Sequence, residues 1–201
     1  NDSHYYLVPG VIVTIMTMIG ALLTSLVMAR EYERGTLESL FVTPVGSGEI
    51  LTAKAATNFL LGMVSLAISM IFAAFVFDIP IRGSLILLLA VSALFLIVAL
   101  GLGLVISTAT KNQFLACQFA IMGTFMPALM LSGFLYDILN MPPAVRAITY
   151  IIPARYYVTL LQTLFLAGDI PSVIIPCCIT LGVFAVVLMG IARLKAPKSL
   201  E

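Results

Sequence analysis

The fold of this protein follows from stretches without a charged side chain, the longest of which is GSLILLLAVSALFLIVALGLGLVISTAT, residues 83–110. A helix that rises about 1.5 Å per residue needs roughly 20 apolar residues to cross a hydrocarbon layer ~30 Å thick. Four further uncharged runs meet this requirement, at residues 3–29, 55–77, 112–136 and 170–192. One such run can be the core helix of a soluble protein, but five together leave too few other residues to bury them.

The overall composition agrees with a membrane protein. Of the 201 residues, 62% are hydrophobic and 9% are charged, and the mean hydropathy is +1.17. A soluble domain has roughly 45–50% apolar and about 25% charged residues. A soluble fold of this size could not bury the additional apolar residues of this chain. We therefore predict an all-α integral membrane protein, a single transmembrane domain over residues 1–201 with five transmembrane helices. The predicted spans are roughly residues 7–29, 55–77, 84–108, 113–136 and 170–192.

The charges of the ten basic and nine acidic residues nearly cancel, so the net charge gives no indication of a nucleic-acid partner.

The distribution of basic residues predicts the orientation in the membrane. The side of a membrane protein that is richer in Lys and Arg is normally cytoplasmic. If the N-terminus lies outside, seven of the ten fall in cytoplasmic segments: Arg30, Arg34, Lys54, Lys111, Arg193, Lys195 and Lys198. We therefore predict that the N-terminus of this chain lies outside and its C-terminus in the cytoplasm.

The spans contain no residue pattern that is typical of catalysis, metal binding or ion coupling. No Asp, Glu, Lys or Arg lies inside the five runs, whereas proton- or ion-coupled transporters usually place such groups at membrane depth. The sequence also lacks a G-x-x-x-x-G-K-[ST] phosphate loop and an H-E-x-x-H pair. His4 stands alone, and Cys117, Cys177 and Cys178 have no further ligands at metal spacing. We expect no catalytic residue, no metal site and no cofactor bound by this chain. If the protein moves a solute, the charge-free spans and the missing phosphate loop predict that the energy comes from elsewhere.

Small side chains recur at every fourth position along two of the spans. They are Ala116, Ala120, Thr124, Ala128 and Ser132 on the fourth and Ala99, Gly103 and Ser107 on the third. Such stripes let helix backbones approach closely in lipid, which predicts packing within one protomer. A translocation path would have to share these surfaces. Asn58, a polar residue in the second span, suits either a hydrogen bond between helices or the lining of a path.

The segment between the first two spans, residues 30–54, combines charges with a short apolar face. Leu37, Leu40 and Phe41 repeat at helical spacing, and Pro44 ends the pattern. An amphipathic helix of this kind can lie on the lipid headgroups or dock on a protein. Four carboxylates close to an anionic leaflet are unfavourable for lipid and suit a basic protein pocket, which favours a docking helix.

The segment between the last two spans, residues 137–169, is predicted to lie on the outside. Its uncharged stretches are too short to cross a membrane. Pro142, Pro143 and Pro153 divide it into short helices that dip into the outer leaflet or cap the bundle. Backbone that is not helical is tolerated at membrane depth only where protein or water covers it. A structural lid and a gate at the exit of a path both fit this pattern.

These two segments resemble the ABC-2 type permeases of bacterial ABC exporters. The matching stretches are EYERGTLE (31–38), the Thr-Pro pair (43–44), LSGFLY (131–136), NMPP (140–143) and IPARY (152–156). The resemblance covers essentially the whole chain. Members of this family have six membrane helices, with an extracytoplasmic domain between the first and the second. Because residues 5–10, YYLVPG, look like the start of the second helix, the resemblance implies that the first helix and that domain are missing here.

The resemblance also implies partners and roles for individual residues. Such permeases are homo- or heterodimers of the bacterial inner membrane, each docked on an ATPase subunit that holds ATP and Mg²⁺. In some subfamilies they also pair with a periplasmic membrane-fusion protein. Residues 30–43 would be the coupling helix that fits a groove on the ATPase, and residues 137–155 would form the short re-entrant helices of an outward gate. The coupling residues carried over are Glu31, Glu33, Arg34, Gly35, Thr36, Leu37, Glu38, Leu40 and Phe41, and the gate residues are Phe134, Pro142, Pro143, Pro153 and Arg155.

By this resemblance, the chain is a permease subunit rather than an enzyme. It would move an apolar or amphipathic solute out of the cytoplasm or the inner leaflet by alternating access, with ATP hydrolysis in the partner ATPase. Glu31, Glu33 and Arg34 are expected to pair with side chains of that ATPase. The alternative is a membrane scaffold or assembly factor that binds an ATPase without a path of its own. The sequence identifies no substrate-binding residue.

Overall fold

The computed structural model describes residues 3–35, 47–76, 82–133, 135–136 and 138–195, and regular secondary structure in these ranges is entirely helical. Three helices are uninterrupted α-helices long enough to span a membrane: α2 (Ser47–Val76), α3 (Leu85–Thr110) and α7 (Pro171–Lys195). Helix α1 has α-helical parts over Ser3–Thr17 and Thr24–Glu33, joined by a π-helical segment over Met18–Leu23. Helix α4 likewise joins Gln113–Ala120 to Met126–Leu131 through a π-helical segment over Ile121–Phe125.

Two short helices lie between α4 and α7. A 3₁₀ turn over Ile138–Asn140 leads into α5 (Pro143–Thr149), and α6 (Pro153–Gln162) continues as a π-helical segment over Thr163–Ala167. Proline is the first residue of both α5 and α6, where its missing N–H leaves no hydrogen bond unmade. The prediction of short helices separated by prolines is therefore confirmed.

Within the described residues, five helices are long and apolar enough to cross a membrane, as the sequence predicts. These candidate spans are Leu7–Glu33, Thr52–Val76, Leu85–Thr110, Gln113–Leu131 and Pro171–Lys195. The first span runs on through Glu33, so the charged residues that follow Ala29 continue the membrane helix. Since consecutive spans alternate in direction, Glu33 marks one end of the bundle and Asp169, which precedes α7, marks the other.

Helix α3 lies at the centre of the bundle. It contacts the other four spans and also α6, and α1 and α3 are the most buried of the five spans. The main hydrophobic core joins Phe95 and Leu96 of α3 to Tyr157 and Leu161 of α6. Helix α6 is therefore part of the core of the bundle, and it is not a lid that rests on the outside.

The small-residue stripes are buried, which confirms the prediction that they pack helices together. All eight residues are buried: Ala99, Gly103, Ser107, Ala116, Ala120, Thr124, Ala128 and Ser132. At Gly103 the backbones of α1 and α3 come close together, because a Cβ atom there would lie 2.7 Å from the backbone oxygen of Ala21 and 2.9 Å from the Cβ of Thr24. Helices α1 and α3 can cross at this distance only because residue 103 has no side chain.

The second, fourth and fifth spans keep exposed apolar faces. Phe75 on α2 is 82% exposed, and Phe119 on α4 and Val186 on α7 are also largely exposed. In water such faces would be unstable, but they are compatible with lipid or with another membrane subunit.

Candidate functional site

Two acidic side chains at the Glu33 end of α1 are held by neighbouring helices. The Glu31 carboxylate forms an ion pair with the ammonium group of Lys54 on α2, with both side chains between a quarter and a third exposed. The Glu33 Oε2 atom accepts a hydrogen bond of 3.0 Å from the backbone N–H of Gln113, the first residue of α4. Glu31 and Glu33 thus fasten the end of α1 to two other spans.

The contact of Glu33 completes a cap on α4. The first N–H groups of a helix have no partner within the helix, and negative charge is favourable there. The Asn112 side chain accepts hydrogen bonds from the N–H groups of Phe114 and Leu115, at 3.0 and 3.1 Å. Glu33 accepts a hydrogen bond from the N–H of Gln113. The N-terminus of α4 is therefore capped jointly by a residue of α1 and by Asn112, the residue before α4.

Helix α1 ends at Glu33, the second of these contact residues. The Arg34 N–H donates to the Arg30 carbonyl, and Gly35 then adopts a left-handed conformation with φ +66°, which suits glycine. Arg30 and Arg34 are exposed at this end. Of the nine predicted coupling residues, the structure thus places Glu31, Glu33, Arg34 and Gly35 at the end of a membrane helix. The other five lie outside the described residues: Thr36, Leu37, Glu38, Leu40 and Phe41.

A buried hydrogen bond joins α1 and α2 deeper in the bundle. The Asn58 side-chain amide donates to the Thr24 hydroxyl oxygen at 3.0 Å, and both residues are buried. Of the two roles that the sequence leaves open for Asn58, the structure supports the hydrogen bond between helices.

At the opposite end, the turn between α5 and α6 is braced by Arg155. Its guanidinium group lies 4.0 Å from the centre of the Tyr150 ring and donates to the hydroxyl oxygen of Thr149, which is buried. The Tyr156 hydroxyl donates to the Tyr150 carbonyl at 2.9 Å. Among the predicted gate residues, Arg155 therefore fixes the angle between two short helices.

The remaining predicted gate residues are spread along the same segment. Pro153 is buried as the first residue of α6, whereas Pro142 and Pro143 are exposed at the start of α5. Phe134 lies outside the described residues. The structure thus brings Pro153 and Arg155 together at one turn and leaves the proline pair on the surface.

Helix α6 is in turn fastened to α3. The Tyr157 hydroxyl donates to the Ser92 Oγ at 2.7 Å, and its ring stacks on Phe95 with 4.2 Å between ring centres. Burial raises the pKa of the Tyr157 phenol far above its usual range, so the hydroxyl stays a donor. The sequence analysis did not single out Tyr157 or Ser92, because only the fold brings residues 65 positions apart together.

The connection between α2 and α3 is tied to the segment that follows α6. The Gly83 N–H donates to the Leu164 carbonyl at 2.8 Å, and the Arg82 guanidinium group donates to the Leu166 carbonyl at 3.3 Å. The Asp169 carboxylate accepts from the N–H of Ser84, directly before α3, at 2.9 Å. These contacts hold α3 and α6 as one body at the Asp169 end.

A cavity of about 340 Å³ lies between α1, α3, α4 and the turn from α5 to α6. Its walls are formed by 14 residues, of which only Thr17 and Thr124 have polar side chains. Both hydroxyl groups donate to carbonyls of their own helices, those of Val13 and Ala120. The sequence analysis did not predict this cavity, although Thr124 and Ala128 on the α4 stripe contribute to it. Within the described ranges, no group of three or more His, Cys, Asp or Glu residues could hold a metal ion.

The fold and these contacts define a multi-pass α-helical membrane protein with a polar cluster at one end and two short, braced helices at the other. Residues 1–166 match the ABC-2 type transporter family, and the protein belongs to that family. This confirms the resemblance found in the sequence.

Several proteins named as permeases are similar to this chain. It is 47% identical to the probable multidrug ABC transporter permease YbhS of Escherichia coli (strain K12) over 199 residues, 99% of this chain and 53% of YbhS. It is 32% identical to the probable multidrug ABC transporter permease YbhR of the same organism over 168 residues, 82% of this chain and 45% of YbhR. It is 28% identical to the inner membrane transport permease YhhJ, also of Escherichia coli (strain K12), over 190 residues, 94% of this chain and 50% of YhhJ. The chain thus spans about half the length of the curated relatives it matches.

Proposed function

We propose that this chain forms the membrane-spanning part of a permease subunit of a bacterial ABC exporter. The observation that carries the proposal is the family match over residues 1–166, on a bundle with five apolar helices. The permease moves an apolar or amphipathic solute out of the cytoplasm or the inner leaflet by alternating access. Its relatives YbhS and YbhR are named as multidrug permeases, which supports a solute of this kind.

The driving force comes from a separate ATPase subunit that binds ATP and Mg²⁺, and this chain binds no cofactor. The ATPase docks at the Glu33 end, which faces the cytoplasm of a bacterial inner membrane. A nucleotide changes the equilibrium between two conformations only as far as its affinity differs between them. The permease transmits that change, and a second permease protomer completes the path. A periplasmic membrane-fusion protein is a further partner.

The polar contacts at the Glu33 end support a specific route of transmission. A rigid pull on the segment after Gly35 acts first on the end of α1. Glu31 then carries the displacement to α2 through Lys54, and Glu33 carries it to α4 through Gln113. In this proposal the two carboxylates act within the permease, while the exposed Arg30 and Arg34 face the ATPase.

The proposal is tested by crosslinking in cells that express the complete permease. A photoreactive amino acid replaces Glu38, and a second variant carries it at Phe75, an exposed residue at the other end of α2. Mass spectrometry should find the ATPase attached at position 38 and lipid at position 75. Lipid adducts at both positions would contradict docking at this segment.

A second measurement separates a permease from a scaffold. The complete permease and its ATPase are reconstituted in liposomes, and ATP hydrolysis is measured with a series of apolar and amphipathic solutes. A permease should show hydrolysis that changes with at least one solute of the series. A complex that forms fully but hydrolyses ATP at one constant rate with every solute would indicate a scaffold.

A further inference from the structure

We infer that the cavity between α1, α3, α4 and the α5–α6 turn is a binding site for an uncharged apolar small molecule within a single permease protomer. This inference rests on the proposed function and deepens it, because it gives the solute a place in the bundle. Its volume of about 340 Å³ falls in the range of roughly 300–1,000 Å³ that is common for small-molecule pockets.

The chemistry of the walls selects the ligand. No charged side chain lines the cavity, and both threonine hydroxyl protons are already donated to backbone carbonyls. An ion or a strongly polar solute would lose its hydration there without gaining hydrogen bonds, which is unfavourable. Phe95 adds an aromatic wall that is held in place by its stacking on Tyr157. The site therefore fits hydrocarbon or aromatic groups.

The cavity has a buried interior and an exposed rim. Ala99, Ala128 and Ala154 of its lining are nearly inaccessible. Ile148 and Ile151, on the turn that Arg155 braces, are 53% and 71% exposed. A ligand would thus enter beside the α5–α6 turn and come to rest against Leu102, the partly exposed α3 residue of the lining.

An independent observation points to the same place. Thr17 directly precedes the π-helical segment of α1, while Gly123 and Thr124 belong to that of α4, and these two segments contact each other. The π-helical conformation is rare and is found frequently at functional sites. Two such segments meet beside one cavity. A movement of the end of α4, to which Glu33 is bonded, would therefore reach the wall of this site along a single helix.

Two glycines allow a matched test. A Cβ atom at Gly123 would have no heavy atom within 4 Å, and the same holds for Gly182 on α7, which does not line the cavity. The variants Gly123→Leu and Gly182→Leu therefore add the same side chain at two positions where the Cβ atom meets no neighbour, but only residue 123 lines the cavity. Correct folding of both is checked by size-exclusion chromatography in detergent.

The probe is an uncharged phenyl diazirine, applied to the complete purified permease in phospholipid nanodiscs without its ATPase. Lipid-facing residues are labelled in proportion to probe concentration, whereas a site becomes saturated and is protected by excess iodobenzene. We expect protected labelling at Leu102, Pro127 and Ile152, which line the cavity and are only partly buried. The Gly123→Leu variant should lower it by about tenfold or more, equivalent to about 1.4 kcal/mol, and the Gly182→Leu variant should leave it unchanged.

Two outcomes would overturn the inference. Labelling of these residues that cannot be saturated would mean that the cavity is only lipid-exposed surface. Labelling that becomes protectable only after bound phospholipid is removed would mean that an acyl chain occupies the cavity permanently. Because the experiment needs neither ATP nor the ATPase, either result is distinguishable from failure of the permease proposal, which the crosslink from position 38 decides separately.

Discussion

Glu33, at the end of the first membrane helix, accepts a hydrogen bond from the backbone N–H of Gln113, at the start of the fourth, although 80 positions separate them in the chain. The bond joins a charged side chain of one helix to the N-terminus of another, where negative charge is stabilising. One atom therefore makes the end of α1 part of the cap of α4. A displacement of α1 that is larger than this side chain can follow must therefore break the bond or move α4.

The first prediction concerns this cap. Glu33→Ala removes the acceptor from the Gln113 N–H and should destabilise the first turn of α4, by about 0.3–1 kcal/mol at most at so exposed a position. Hydrogen–deuterium exchange of the peptide that contains residues 112–120 should become faster, with little change in α7.

Arg30→Ala provides the control for that experiment. Arg30 is exposed on the same end of α1 and should leave exchange in residues 112–120 as it is. Equal exchange in the wild type and in Glu33→Ala would show that the carboxylate does not stabilise α4. Glu33→Gln keeps an acceptor but loses the charge. Its exchange rate in residues 112–120 should lie between that of the wild type and that of Glu33→Ala.

The second prediction separates a contact within the permease from a contact with the ATPase. Glu31→Lys places two like charges beside each other, and Lys54→Glu in the same chain restores the ion pair in reverse. Such partly exposed pairs contribute little to stability, typically about 0.2–1 kcal/mol, so the readout is ATPase binding. We expect the single variant to weaken binding and the double variant to recover it. No recovery in the double variant would mean that Glu31 itself touches the ATPase.

Much of the fold could be predicted because the membrane makes the sequence easy to interpret. The five spans follow from the requirement that about 20 consecutive residues be apolar, and this requirement is local. The stripe that contains Ala120 and Ala128 predicted buried helix contacts because small residues are what close packing in lipid needs. Pro143 and Pro153 marked the starts of two helices for an equally local reason.

The candidate site was less accessible to sequence reasoning because its contacts are distant in the chain. Nothing near Glu33 or Glu31 indicates that Gln113 and Lys54 will be their partners, so both carboxylates looked available to another protein. The π-helical segments of α1 and α4 have no sequence signature that distinguishes them from α-helix. The cavity arises from the arrangement of several helices, and hydropathy records only that its walls are apolar.

The third prediction concerns the attachment of α6 to α3. Tyr157→Phe removes one hydroxyl and keeps the ring on Phe95, while Ser92→Ala removes its acceptor. Hydrogen bonds between membrane helices contribute about 0.6 kcal/mol on average, with a maximum of about 1.7 kcal/mol. Each single variant should lower the thermal unfolding midpoint in detergent. The double variant should lower it by less than the sum of the two single decreases, because both remove the same hydrogen bond. Strictly additive effects would show that the two hydroxyl groups do not interact.

A fourth prediction tests Arg155 as the brace of the α5–α6 turn. Arg155→Lys keeps the charge but loses the flat guanidinium group that covers Tyr150 and reaches Thr149. Exchange of residues 147–152 should therefore become faster in this variant. The matched control is Arg146→Lys, at an exposed position on α5, which should change nothing. If both variants behaved as the wild type, the turn would not depend on the guanidinium group.

The last prediction concerns the crossing of α1 and α3 at Gly103. In Gly103→Ala the new methyl group would meet the Ala21 backbone oxygen at 2.7 Å, and backbone cannot turn aside as a flexible side chain can. The two helices must separate, at a cost of about 1–3 kcal/mol that is typical of overpacking.

Gly190→Ala on α7 is the control, because a Cβ atom there has no heavy atom within 4 Å. Alanine favours helix over glycine by roughly 0.5–1 kcal/mol, so this variant should be neutral or slightly stabilised. The thermal unfolding midpoint of the complete permease in detergent should accordingly fall for Gly103→Ala and hold or rise for Gly190→Ala. Equal midpoints would show that α1 and α3 do not meet as closely as their small residues allow.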